Sequence, residues 1–226
     1  MKAITSAAVA LILGWSAASA QSPPTPGELA AYGGLHAAAA RGAVEAVRVL
    51  ASAGGLDARD ANGRTPLHVA TFQRHPDAVK ALIAVDANHA LLDNQRYDAV
   101  TIAAVQDDEP TLRALFDAGA SAKLTTSVYD GTALIAAAHL GHDGVVRHLI
   151  RAGAPLDHLN NLGWTALIEA VILGDGGSRH VATVRALVDA GANRDIADRQ
   201  GVTPLRHARA RGYSEIVALL AKRAAK

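Results

Sequence analysis

Ten histidines stand in a 226-residue chain that contains no cysteine. Imidazole and carboxylate are therefore the groups from which any metal or acid–base chemistry would have to be built. His139 and His142 lie three residues apart, a spacing that can bring two ring nitrogens to one zinc ion. They straddle the predicted end of a helix, and no carboxylate is forced close to them, so they are read as structural and no metal is expected. The run Gly174-Asp175-Gly176-Gly177-Ser178 has the glycine content of a phosphate-cradling loop but lacks the Lys-Ser/Thr that closes one. A nucleophile elbow and a His-Glu-x-x-His motif are also missing. With each component of an active site wanting, the expected function is binding, without catalysis and without a cofactor.

The elements that must position these residues follow a repeat. Gly63-Arg64-Thr65-Pro66-Leu67-His68 returns as Gly163-Trp164-Thr165-Ala166-Leu167 and as Gly201-Val202-Thr203-Pro204-Leu205. A shifted copy reads Asp130-Gly131-Thr132-Ala133-Leu134. Aligned on the leucine, the register residues are Leu35, Leu67, Val100, Leu134, Leu167 and Leu205, with steps of 32, 33, 34, 33 and 38. A second phrase, Asp117-Ala118-Gly119-Ala120, recurs at nearly the same phase as Arg151-Ala152-Gly153-Ala154 and Asp189-Ala190-Gly191-Ala192. Within a unit, a threonine caps a short helix and proline fits its first position, where the missing N–H had no partner in any case. A turn leads to a second helix with apolar pairs such as Val145-Val146 and Leu149-Ile150, closed by a glycine. A polar stretch such as 157–163 then swings out as a finger. One unit cannot bury its apolar face alone, so the units must stack. The third departs most from the phrase, and the least stable region is expected around residues 86–110. The run 174–178 falls where the step lengthens and is read as an insertion in the interhelical turn of the fifth unit.

These phrases resemble the ankyrin-repeat family over residues 33–223. The resemblance implies an all-α solenoid of about six helix-turn-helix units with projecting hairpin-like fingers, spanning 33–226. It also implies that His36 and His68 bond between repeats and that His75 and His142 sit in interhelical turns. Residues 1–20 lie outside the array. Lys2, the apolar stretch 7–13 and Ala18-Ser19-Ala20 have the three-part layout of a cleavable secretory signal, with a cut expected after Ala20 and a periplasmic or secreted product. Residues 21–32, with Pro23-Pro24-Thr25-Pro26, are read as a flexible leader. The chain has 22 basic and 21 acidic residues, a balance without the cationic excess of a nucleic-acid binder.

The family generally binds other proteins through finger tips and the exposed edge of each first helix. By register, that surface comprises Arg64, Tyr97 and Trp164 beside the first helices, with Tyr129 in the fourth finger. Phe72, Gln73, Val105, Gln106, His139, Leu140, Ile172 and Leu173 follow at the helix ends, and Asn94, Gln95, Asn161 and Leu162 at the tips. Four of the chain's few aromatics, Phe72, Tyr97, Tyr129 and Trp164, fall in this set, as binding anchors would; the alternative places them as filler between repeats. The expected partner is another protein, with no nucleic acid, no membrane after cleavage and a monomeric chain. Resemblance to exported bacterial ankyrin proteins implies an association with catalase and peroxide protection. An inhibitor or immunity protein for an exported toxin or hydrolase is the alternative.

Overall fold

A computed structural model describes residues 21–221. The expected signal segment 1–20 lies outside the described residues. Among them are 13 helices and no strand, only the isolated bridge between Thr126 and Gly131. Helix α1 (Pro26–Ala31) precedes six helix pairs: α2 (Gly34–Ala40) with α3 (Val44–Ala51), α4 (Pro66–Phe72) with α5 (Pro76–Ala84), and α6 (Ala99–Val105) with α7 (Glu109–Asp117). There follow α8 (Ala133–Leu140) with α9 (Asp143–Arg151), α10 (Ala166–Ile172) with α11 (Ser178–Asp189), and α12 (Pro204–Arg211) with α13 (Ser214–Ala221). First helices pack on first helices and second on second, giving two parallel rows. One continuous apolar core runs through both rows and includes Leu35, Leu67, Val100, Leu134 and Leu167, with Leu205 partly buried against its end.

Capping explains where each first helix starts. The side chains of Thr65, Thr132, Thr165 and Thr203 each accept the backbone N–H three residues on. A cap of this kind contributes roughly 1 kcal/mol. The third unit keeps the device with a different residue: Asp98 caps α6 and Asp108 caps α7. Its departure from the repeated phrase instead appears in the backbone. Asp107 (φ +58°) takes the left-handed turn position that Gly141 (φ +68°) and Gly212 (φ +72°) fill elsewhere, and Asp86 (φ +69°) takes that of Gly153 (φ +77°). A Cβ is disfavoured there.

The leader differs from expectation. Thr25-x-x-Glu28 forms a reciprocal capping box that starts α1, so residues 26–31 are helical rather than flexible. The insertion of the fifth unit occupies the α10–α11 turn and is fixed on both sides. Tyr213 Oη donates to the Gly174 carbonyl at 2.9 Å, and the His180 ring bonds Asp175 at 2.8 Å and the His139 carbonyl at 3.0 Å.

Candidate functional site

Four of the fingers are each built on one side chain. Oδ1 of Asp60, Asp93, Asn160 and Asp198 accepts the N–H groups two and four residues on, folding residues 60–64, 93–97, 160–164 and 198–202 into the same tight loop. The tips join edge to edge: Asn94 N–H donates to the Asn62 carbonyl at 3.0 Å and Asn161 N–H to that of Tyr129 at 2.8 Å. The amides of Asn94 and Asn161 reinforce this through the carbonyls of Ala61 and Val128.

The fourth finger breaks the pattern. Threonine (Thr126) bridges to Gly131, and Ser127 (φ +64°) and Asp130 (φ +52°) take left-handed backbone. Beneath this irregular loop a cavity of about 260 Å³ opens on the first-helix side, between α6, α8 and α10. Tyr97, Val105, Tyr129, Ile135, Leu140 and Glu169 are among its walls. The cavity is mainly apolar with a few convergent polar groups, the usual make-up of a recognition pocket.

Glu169 is its sharpest polar feature. Asn160 Nδ2 donates to Oε1 at 2.9 Å, and His139 Nδ1 lies 3.5 Å from Oε2. Burial pushes the Glu169 carboxyl up to about 7, a rise that the Asn160 hydrogen bond only partly opposes. Burial also lowers the His139 pKa. Ion-pair distance therefore does not make an ion pair here: desolvation opposes both charges, and near pH 7 about half of the Glu169 carboxyls keep their proton. With Oε1 held by Asn160 and Oε2 only near His139, the carboxyl keeps capacity to hydrogen-bond an inserted polar side chain. Sequence reasoning missed Glu169. The signal was its register: the same position is Ala37, Val69, Ile102 and Ala136 in four other units.

The expected binding surface is drawn together in part. Tyr97, Val105, Tyr129, His139 and Leu140 converge on the cavity. Gln73, Gln95, Gln106, Leu162 and Leu173 are half-buried around the groove, and Asn94 and Asn161 are exposed at the tips. The expectation of exposed aromatic anchors is corrected. Phe72 and Tyr97 are buried in one cluster with Ile102, and Trp164 in another with Ile168 and Ile172. Trp164, which follows the finger glycine, folds down onto its own first helix, four and eight residues on, whereas Tyr97 packs on Ile102 of its own unit and on Phe72 of the unit before, so these rings fill gaps under and between the fingers. Of the four aromatics, only Tyr129 is partly exposed. Arg64 is also buried, 1% exposed, because α1 covers it: Nε bonds Asp60 at 2.7 Å and one terminal nitrogen bonds Glu28 at 2.6 Å.

Most histidines clasp neighbouring units. His68 Nε2 donates to the Tyr97 carbonyl at 3.1 Å while its Nδ1 accepts from Thr65, and His36 reaches the Arg64 carbonyl at 3.0 Å. His75 and His142 bond the carbonyls of Ala40 and Ala104 in the units before them. His139 and His142 thus turn to opposite neighbours, His139 towards Glu169.

A family model described as ankyrin repeats (3 copies) matches residues 8–93 and 100–178, and a single ankyrin repeat matches 162–199. The ankyrin repeat protein YahD of Escherichia coli K12 is 31% identical over 185 residues, which is 81% of this chain and 92% of that one. The crystal structure of an ankyrin repeat domain from Acinetobacter baumannii AYE is 45% identical with a TM-score of 0.77, covering 82% of this chain and 95% of that one. The ankyrin repeat protein EF0377 gives 32% and 0.78, with 85% and 98% covered. The chain spans less than half the length of the longer animal proteins it also matches.

Proposed function

The chain belongs to the ankyrin-repeat family, and on that premise we propose that it is a non-catalytic protein-binding module that acts after export, in the periplasm, by gripping a partner protein on its concave face. Ankyrin repeats mark protein–protein interaction modules. The observation that carries the reading is the cavity under the fourth finger, where apolar walls surround the buried Glu169–Asn160–His139 group. A large exposed apolar residue, Leu140 (40% exposed), stands at its rim. Such a surface receives an apolar or neutral polar side chain rather than a phosphate. The export layout of residues 1–20 supports the compartment, and the catalase association suggested by resemblance makes an enzyme of that compartment the first partner to seek.

The test is capture of periplasmic proteins on the purified chain, followed by affinity measurement with the captured partner. Leu140→Asp and Val105→Asp, both at positions with solvent access, are expected to weaken binding about tenfold or more, as charges at an apolar interface centre do. Undiminished affinity in both variants would reject the concave site. A chain confined to the cytoplasm on fractionation would reject the compartment.

A further inference from the structure

The groove of this fold is already occupied by the chain itself. Residues 21–24 run from α1 along the line of the fingers, without helix or strand. Ser22 N–H donates to Gln95 Oε1 at 2.8 Å, and Arg64 donates to the Ser22 carbonyl at 3.3 Å. Both contacts read backbone groups, which every polypeptide presents. Pro24 is buried, and Gln21 enters the cavity beside Tyr97 and Tyr129. Prolines 23 and 24 hold this stretch extended in advance, which lowers the entropy cost of laying it in a groove.

From this we propose that the concave groove is a site for an extended polypeptide segment carrying a neutral polar side chain, and that residues 21–24 occupy it in cis as a competitor that a partner must displace. The inference rests on the protein-binding reading and specifies its ligand. The fit of the leader is incomplete in an informative way. Both side-chain polar atoms of Gln21 are buried and neither has a hydrogen-bond partner. Burying them unpaired costs free energy, so the leader is held below the strength the site can offer. A segment that reaches the Asn160–Glu169 group would do better. Gln95 and Tyr97, expected from the repeat register to bind a partner, are the residues the leader touches.

Two measurements test this. In the chain beginning at Gln21, Pro23→Cys introduces the only thiol, since the sequence has no cysteine, at an exposed position. A nitroxide there is expected to broaden the amide NMR signals of Thr132, Ile135 and Ala136 selectively. Weak, even broadening along the array would overturn the docked leader. For the second, a fluorescein-labelled peptide with the sequence of residues 21–26 is titrated into the full chain and into a chain beginning at Thr25. Melting curves confirm that both are folded. A tethered segment competes at an effective concentration of roughly millimolar, so the shortened chain is expected to bind the peptide about tenfold more tightly. Equal affinity, or no saturable binding to either, would overturn the proposal. A free leader together with a partner that still needs Leu140 removes this inference alone; a docked leader with no partner on the groove removes the proposed function instead.

Discussion

Replacing Glu169 by Gln should stabilise the protein in alkaline solution and leave it unchanged in acid. The carboxyl is buried, with a side chain 4% exposed, and its pKa stands at about 7 against an ordinary 4.5. The folded state keeps its proton up to about pH 7, whereas the unfolded chain releases it near 4.5. Between those values the folded state binds more protons, so wild-type stability falls as pH rises through the window and is level beyond it. Each pKa unit is worth 1.36 kcal/mol, so the full effect is about 3 kcal/mol. Glutamine keeps the shape, can still accept from Asn160, and can donate towards His139. Urea unfolding of both proteins from pH 4 to 8.5 measures the difference, in which the titration of other groups largely cancels. The expected result is near-equality at pH 4.5 and a variant more stable by about 3 kcal/mol at pH 8. A difference independent of pH would refute the neutral, buried carboxyl and with it the chemistry assigned to the cavity.

Two further outcomes follow from packing and backbone geometry. Trp164→Ala should destabilise the free protein by about 3 kcal/mol and lower its Tm by about 6–12 °C, because the ring is buried on Ile168 and Ile172; thermal melting beside the control Arg185→Ala checks it, and an unshifted Tm would return Trp164 to the surface. Asp86→Gly should raise stability by about 0.5–1 kcal/mol, since Asp86 is exposed and has φ +69°; a loss in urea unfolding would show that the aspartate side chain outweighs its backbone strain.

The array was legible because its information is periodic. The register residues, the Thr caps and the turn glycines each recur, and each recurrence confirms the others. The place of the run 174–178 in the fifth interhelical turn followed from step lengths alone. Depth was not legible. Register places Trp164, Tyr97 and Phe72 near the concave edge, but whether a ring stands out or folds onto its own helix depends on the space between finger and helix, which no spacing encodes. Arg64 was misplaced for a related reason: what buries it is α1, outside the repeat. The Thr25-x-x-Glu28 capping box was the available signal for that helix. The cavity arises where periodicity fails, at a fourth finger without the Asp or Asn that shapes its neighbours. A reading built on repetition locates such a site only by asking what each exception does.

The central claim, that the concave groove holds a partner protein, is tested most directly by photo-crosslinking in periplasmic extract. A benzoylphenylalanine is placed in turn at Ala136 and Leu140, which line the cavity, and at Val49 and Arg185, exposed on the second helices. The account predicts one discrete protein adduct from the two groove positions and none from the other two. The same adduct from Val49 or Arg185, with none from Ala136 and Leu140, would contradict it.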